Sequence, residues 1–501
     1  MSEGKQMTLT KQLTGAPSTG LKSWDAIKWK KVERHVRRLQ VRIAKATEQE
    51  RWGKVKALQR LLSHSFYAKL LAVRRVSSNK GSKTPGVDGI VWNSKAQKYN
   101  AALDLQQKGY KTQPLRRIYI PKKNGKKRPL GIPSMKCRGM QALYLLGLDP
   151  VVETIADKNS YGFRPKRSCA DAIEQCFNIL SQKGSAPYIL EGDISACFDK
   201  ISHEWLENNL CVDKSMLRKW LKCGYIDKGT FFPTKMGTPQ GGIISPTALN
   251  ATLSGLEEEI RKGFKKADKV YVVTYADDFI ITGRSKELLE NEIKLRVVKF
   301  LNERGLKLSE EKTTITHIDE GFDFLSHNVR KYKGKLLIKP CKASIKNFSS
   351  NIRTTIRSRP TVKTEELIER LNPMIRGWAF YFRHVVSKDV FTRVDREIFN
   401  VLWKWAVRRH PNKDKKWVAD KYFMHPSLPR WTFHAETKKG TVKLERASSI
   451  PIRRHIKIRA GANPYDPAYD AYYDKREKRK TRMSEEKMRV AGFSPKGLCE
   501  A

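Results

Sequence analysis

The clearest chemical capacity in the chain lies in an adjacent pair of acids, Asp277-Asp278, set between the β-rich runs 270–273 and 279–282 and preceded by Tyr275-Ala276. Such runs on both sides predict a tight hairpin with the carboxylates at its tip. By itself an Asp pair in a turn is ordinarily structural, because Asp side chains bond their own backbone there. A second acid changes that reading. Residues 188–193 read as a buried strand that ends in the carboxylate of Asp193 and runs into Ile194-Ser195-Ala196-Cys197-Phe198-Asp199. Asp193 on a neighbouring strand could meet the pair. Two-metal phosphoryl transfer needs hard oxygen donors of this kind on rigid elements, with the ions about 4 Å apart.

Chemistry of that class needs a polyanion brought to the acids, and the composition supplies the means. The 501 residues carry 100 Lys and Arg against 51 Asp and Glu, a formal net charge of +49. A chain this long divides into about three or four domains. The cations are spread along the whole sequence, which fits an extended RNA or DNA better than a small phosphate ligand. A ribosomal-type or membrane-surface protein is the alternative the charge leaves, and the length and motifs disfavour it. No apolar run approaches the roughly 18 residues of a membrane span, and no signal-peptide core is present near the start, so an intracellular protein is expected. The eight cysteines contain no CxxC pair, which argues against a zinc ribbon or a disulfide framework.

Residues 1–23 are polar and aperiodic, as a flexible arm would be. Val32, Val36, Leu39, Ile43 and Ala46, then Trp52, Val55, Leu58, Leu62 and Phe66, recur at helical spacing and predict a basic helical hairpin with Arg34, Arg37, Arg38 and Arg42 on outer faces. From Pro85 to about Tyr332 the text is α+β. Ile244-Ser245-Pro246 opens a helix whose Leu249, Leu253, Leu256 and Ile260 face the core. Helical periodicity then returns at Ile345, Phe348, Ile352 and Ile356 and continues through Phe391, Val394, Ile398, Leu402 and Trp405. Residues 431–444 alternate around Lys438-Lys439-Gly440 like a hairpin, and the stretch beyond Pro451 is basic and poor in apolar residues, as a partly disordered nucleic-acid-binding appendage would be.

Taken together, Asp193 and Tyr275-Ala276-Asp277-Asp278 resemble motifs A and C of a right-hand polymerase palm in its reverse transcriptase form. Arg128-Pro129-Leu130-Gly131-Ile132-Pro133, Tyr161-Gly162-Phe163-Arg164, Gly237-Thr238-Pro239-Gln240-Gly241-Gly242 and Gly321-Phe322-Asp323-Phe324-Leu325 occur in family order. Residues 371–378, with Tyr381-Phe382 after them, resemble domain X, the thumb of intron maturases. The sequence is therefore identified as similar to bacterial group II intron-encoded reverse transcriptase/maturases over nearly its whole length. The resemblance implies a multidomain α+β right hand: an arm (1–23), an N-terminal helical extension (24–84), fingers and an antiparallel palm (85–335), a helical thumb (336–425) and a basic DNA-binding domain (426–501).

It also implies roles. Asp193, Asp277, Asp278 and Lys312 would be catalytic, and Asp193, Ile194, Asp277 and Asp278 would bind two Mg²⁺ ions, with Mn²⁺ able to substitute. Lys312 matches the lysine that protonates the leaving pyrophosphate. Lys122 and Arg128, either side of an Asn124-Gly125 turn, would meet the incoming dNTP triphosphate. Phe198 would exclude a 2′-hydroxyl and Gln240 would contact base or sugar. Arg34, Arg38, Arg164, Arg376, Arg408, Arg409, Arg453 and Arg454 would touch nucleic acid. The implied partners are the intron RNA, a target DNA and the template-primer duplex, in the bacterial cytoplasm or at the nucleoid. Relatives often continue into an HNH nuclease, and none is expected here.

One departure stands out, since Ser326-His327 follow Leu325 where the family commonly has Gly and an aromatic. His327 is expected to be a packing or backbone-contacting histidine rather than a metal ligand. Three other classes remain open: an RNA-binding splicing factor that has lost polymerisation, which the intact acids oppose; an RNA-dependent RNA polymerase, which Phe198 opposes; and a host-adapted reverse transcriptase.

Overall fold

The computed structural model describes residues 23–121, 125, 127–438 and 440–490, with backbone alone for 482–490. Most of the expected arm (1–22), Lys122 and Lys439 lie outside the described residues.

The N-terminal periodicity becomes α1 (Trp29–Glu48) and α2 (Trp52–His64), which bury the apolar positions that the spacing selects within them except Trp52, left 41% exposed at the first position of α2. That spacing runs on to Phe66, but the chain breaks at Ser65, in an extended conformation with ψ 125°, and Phe66 opens a third helix, α3 (Phe66–Ser78). The unit is therefore three helices, not a hairpin. Next comes α4 (Lys95–Asp104), whose Ser94 cap accepts from the Gln97 N–H. The long α5 (Met135–Ile155) is buried along nearly its whole length, so no amphipathic stripe marks it. Helices α1, α2 and α3 all pack on α5, which makes the basic unit a layer of the catalytic body.

Two four-stranded sheets follow. β1 (Leu115–Pro121), β2 (Lys127–Ile132), β4 (Tyr225–Asp227) and β5 (Thr230–Phe232) lie in the order β2-β1-β4-β5 and make the fingers. β3 (Tyr188–Asp193), β6 (Val272–Tyr275), β7 (Asp278–Gly283) and β8 (Thr314–His317) lie in the order β6-β7-β3-β8 and make the palm. Around the palm run α6 (Cys169–Leu180), α7 (Cys197–Lys200), α8 (His203–Asn209), α9 (Lys214–Leu221), α10 (Ser245–Leu253) and α11 (Leu256–Arg261), then α12 (Lys286–Leu288), which passes through a π turn into α13 (Lys294–Asn302). The single helix expected after Pro246 is divided into α10 and α11: Leu249, Leu253, Leu256 and Ile260 are all buried, but Gly255 turns left-handed at φ 87° between them.

A three-stranded sheet, β9 (Phe322–Phe324), β10 (His327–Tyr332) and β11 (Lys335–Pro340), carries the α+β region past its expected end near Tyr332. The thumb is α14 (Lys342–Arg357), α15 (Thr364–Phe382), α16 (Lys388–Arg409) and α17 (Lys415–Tyr422), with the expected apolar positions buried. A hairpin of β12 (His434–Thr437) and β13 (Gly440–Lys443) follows.

The segment after Pro451 differs most from expectation. Instead of standing off as an appendage it is strapped across α6 and α5. Asp171, wholly buried at the start of α6, accepts from Ile458 N–H at 2.7 Å, bonds His455 Nε2 at 2.8 Å and pairs with Arg476 at 3.3 Å. Arg167 donates to the Ala460 carbonyl, and Asn463 donates to Thr154 Oγ1. A terminal helix, α18 (Asp470–Val490), ties back through Asp470 to Arg37 of α1 at 2.9 Å. Polar bonds hold this segment, which is why a count of apolar residues underrates it. Among the described residues no helix is long and apolar enough to cross a membrane.

Candidate active site

The acid hairpin forms as the pattern predicts. β6 and β7 pair antiparallel with Tyr275 opposite Asp278, leaving Ala276-Asp277 as a two-residue turn with Ala276 left-handed at φ 57°. β7 lies next to β3 in a register that sets Asp193 directly opposite Asp278. The three carboxylates therefore come from two adjacent strands, β3 and β7, and from the turn that joins β7 to β6. At Gly192, just before Asp193, a Cβ would stand 2.2 Å from the Phe279 ring, so any larger residue would force that buried ring to move. Ile194 opposes Leu308, with the hydrogen bonds made by Ser195 N–H and Ser309 N–H on either side. In that pairing the N–H and C=O of Ile194 itself point away from Leu308, towards the side of β7.

Crowding acts on the acids. Asp278 is pushed up to about 6 by desolvation, then by the charges of Asp277 and Asp193, and Asp277 is raised by desolvation with Asp193 adding to it. Lys312 supplies the counter-charge: its Nζ stands 2.5 Å from Asp193 Oδ2, and that bond raises the ammonium above its ordinary value. With Lys312 on Asp193, no group of three or more His, Cys, Asp or Glu among the described residues is set to hold an ion as it stands. The donor set still fits divalent cations, being hard carboxylate oxygens that burden one another and, among the described residues, have one lysine bonded to them.

Of the side chains expected at the nucleotide, Lys122 lies outside the described residues, and Arg128, Phe198 and Gln240 are held as follows. Arg128 on β2 is near enough to Asp277 to favour its charged form. Phe198, at the start of α7, is half-buried and lies edge-on to Phe163 with centroids 6.1 Å apart. Gln240 donates to Asp199 Oδ2 at 3.0 Å, and its carbonyl accepts from Gly131 N–H at 2.8 Å. The glycine-rich loop is thereby bound to both neighbours, since Thr238 N–H donates to the Phe198 carbonyl at 2.6 Å. At Gly237 a Cβ would meet the Asp199 backbone at 2.6 Å, so the motif's glycine is a packing requirement as well as a left-handed turn at φ 82°.

Of the expected nucleic-acid contacts, Arg164 is corrected. Its guanidinium is almost wholly buried, bonds both oxygens of Glu153 at 2.8 Å and donates to the carbonyls of Asp157 and Ser160. It cannot reach a phosphate. Its work is positional, for the loop it clamps lies along β6 through Tyr161 N–H to the Thr274 carbonyl, and Gly162 sits against the acid turn so closely that a Cβ would be 2.2 Å from Ala276 N. Arg409 is likewise committed, donating to the carbonyls of Pro360 and Val362, and Arg376 pairs with Glu445 at 3.5 Å. Arg34, Arg38, Arg408, Arg453 and Arg454 are exposed.

The departure at Ser326-His327 is accommodated. Leu325 and Ser326 are both left-handed, at φ 49° and 66°, as a two-residue turn between β9 and β10 requires. Glycine suits the second position, and Ser326 adopts the conformation all the same. His327 is wholly buried, bonds the Leu325 carbonyl through Nδ1 and packs on Tyr381, Phe382 and His384, taking an aromatic's place. Sequence reasoning missed Tyr381 as a joint: its hydroxyl donates to the Leu325 carbonyl at 3.0 Å and touches Cys169 Sγ at 2.9 Å, fastening thumb to palm. Nothing in the spacing of these residues signals that contact.

Residues 120–329 match the family described as reverse transcriptase (RNA-dependent DNA polymerase), residues 24–105 the N-terminal domain of reverse transcriptase, and residues 345–423 the group II intron, maturase-specific domain. Protein YkfC of Escherichia coli (strain K12) is 31% identical over 308 residues, covering 53% of this chain and 80% of YkfC. The group II intron-encoded protein LtrA of Lactococcus lactis subsp. cremoris is 30% identical over 406 residues, 68% of this chain, and the chain spans 64% of LtrA's length. A solved telomerase from Candida albicans overlaps loosely, with a TM-score of 0.37 at 13% identity over 62% of this chain and 64% of that chain. With the three families matched in order along the chain and YkfC covered over most of its length, the chain belongs to the group II intron-encoded reverse transcriptases and maturases.

Proposed function

We propose that the chain copies RNA into DNA at the acid turn, assists splicing of the intron RNA it binds, and uses a nicked target DNA as primer when that intron inserts. The observation that carries the reading is the convergence of Asp193, Asp277 and Asp278 on one hairpin and its neighbouring strand, with Lys312 bonded to Asp193 and the charge of Arg128 acting on Asp277. Asp193, Asp277, Asp278 and the Ile194 carbonyl would hold two divalent cations, Mg²⁺ with Mn²⁺ as substitute. Such ions, when bound, lower the pKa of a primer 3′-hydroxyl and stabilise charge on the leaving pyrophosphate.

The protein's own groups do the rest. Arg128, with Lys122, takes the triphosphate oxygens, while Phe198 stands where a 2′-hydroxyl would project and so favours dNTPs. The primer 3′-hydroxyl gives its proton to solvent, its oxygen forms the bond to the α-phosphorus as the bond to pyrophosphate breaks, and Lys312 gives a proton to the departing oxygen. The exposed arginines Arg34, Arg38, Arg408, Arg453 and Arg454 draw RNA and DNA across the thumb and N-terminal layer.

Primer extension on an RNA template tests the assignment. Asp277→Ala should lower extension by at least about 10³-fold, because a paired-ion site cannot work half assembled. RNA binding and splicing assistance should persist in that variant. Vigorous extension by the variant, with RNA still bound, would remove the polymerase assignment.

A further inference from the structure

Phe163 stands where a bulky side chain is least expected. Its backbone is left-handed at φ 56°, a conformation that penalises any residue with a Cβ and suits glycine. Its ring is 52% exposed and joins neither hydrophobic core among the described residues. The fold gains little from a phenyl ring held out in this way. A large apolar side chain kept in a strained and open position, next to a reacting centre, points to function.

The loop that carries it is fixed on both sides. Before it, the Tyr161 N–H donates to the Thr274 carbonyl at 3.0 Å, and Gly162 lies so close to the acid turn that a Cβ would stand 2.2 Å from Ala276 N. After it, Arg164 bonds both oxygens of Glu153 at 2.8 Å. The Phe163 backbone is thereby tied to the acid turn. What its ring meets is Phe198, with centroids 6.1 Å apart and planes at 68°, within the range of a favourable edge-to-face pair. Phe198 packs partly on the core, and its carbonyl is held by the Thr238 N–H at 2.6 Å. A held backbone still leaves the ring its side-chain rotations. No other ring among the described residues pairs with it.

We propose that Phe163 is a positioning residue for sugar selection: its ring braces Phe198 in the orientation that fills the space of a 2′-hydroxyl, and its loop keeps that wall in register with the acids. The inference rests on the proposed role of Phe198 and adds the source of the wall's stiffness. Steric exclusion works only as far as the excluding group refuses to move. A ring free to turn aside would admit the extra oxygen, whereas one braced by a second ring must give up that contact first. Strain at Phe163 is then the cost of placing the brace, which a glycine in its position would avoid and could not replace.

Incorporation of paired rNTP and dNTP substrates by the full-length protein, with urea unfolding beside it, tests the proposal. Phe163→Gly should raise the kcat/KM ratio of ribonucleotide to deoxyribonucleotide by about two- to tenfold, the range that an edge-to-face pair can supply. Its urea midpoint should not fall, because glycine relaxes the left-handed backbone and the lost ring is largely exposed. Phe163→Tyr keeps the ring and should keep the parent's ratio. In a Phe198→Ala background Phe163→Gly should change the ratio no further, as required of a side chain that acts through another. Three results overturn the proposal: an unchanged ratio in Phe163→Gly although Phe198→Ala raises it, a full additional increase in the double variant, or a midpoint well below the parent's, which would make the ring a prop of the fold. Failure of the underlying reading shows differently, as a ratio that Phe198→Ala itself leaves unchanged.

Discussion

Asp278 on the palm hairpin and Asp171 at the start of α6 are both acids set into the same body, and their surroundings drive them in opposite directions. Asp278 is pushed up to about 6 by desolvation and by Asp277 and Asp193. Burial works on Asp171 as well, but the hydrogen bonds from His455, Ser168 and the Ile458 N–H outweigh it and bring the carboxyl down to about 2. One acid lacks donors and the other is saturated with them. The arginines divide likewise: Arg164 is locked in Glu153 and carbonyl oxygens, whereas Arg128 stays exposed beside Asp277. Unsatisfied charge marks where substrate and cations must complete the structure, and satisfied charge marks what holds the frame.

That contrast breaks if both acids behave alike when neutralised. After the loss of extension expected for Asp277→Ala, the next largest effect is structural. Asp171→Ala should destabilise the fold by about 3–5 kcal/mol, since the half-buried His455 and Arg476 and the buried Ile458 N–H would lose their acceptor. Asp278→Asn should do the reverse, costing extension while its urea midpoint falls no lower than that of the parent, because it removes a repelled charge. If Asp171→Ala unfolds at the parent's midpoint, this carboxylate does not latch the strap to the body.

Legibility followed the same division. The acid hairpin could be read directly, because a strand's period of two and a two-residue turn fix where Tyr275 and Asp278 must lie. Amphipathic α1, α14 and α16 were legible for the equivalent helical reason. Arg164 was misread because an arginine beside a catalytic motif looks alike whether it faces phosphate or Glu153, eleven residues away. The latch was invisible, since Asp171 and His455 are 284 positions apart and no periodicity links them. The division of α10 from α11 was missed because Ser254-Gly255 interrupts the backbone without disturbing the apolar spacing.

A smaller effect sharpens the comparison within the palm. Phe198 is held by neighbours rather than by chemistry, with its ring against Phe163 and its carbonyl bonded by Thr238. Phe198→Ala should therefore leave the fold intact while raising the kcat/KM ratio of ribonucleotide to deoxyribonucleotide by roughly tenfold, about 1.4 kcal/mol of lost exclusion. An unchanged ratio would move the sugar gate to another side chain, with Phe163 the nearest candidate.

The smallest expected effect concerns the histidines between thumb, palm and strap. Burial lowers His327 to about 3, with His384 adding to it, and lowers His384 to about 4, with His455 adding to it. Both imidazoles are thus neutral in the folded chain, whereas in the unfolded chain they titrate near 6.5. Between about pH 6.5 and 4 the unfolded state takes up protons that the folded state refuses, so stability is complete above that window and falls as the pH drops through it. Asp171 contributes in a lower window, because its folded value of about 2 lies below the unfolded value near 3.9, and its share is lost only as the pH falls through that range. The two windows separate the neutral cluster from the saturated acid. Urea midpoints at pH 7.5, 6 and 5 should decline for the parent and decline less steeply for His327→Leu, which removes a group that must stay unprotonated. Asp171→Asn should keep the parent's slope across these three values and flatten only below about pH 4. Parallel declines for parent and His327→Leu would mean that the acid sensitivity arises outside the cluster.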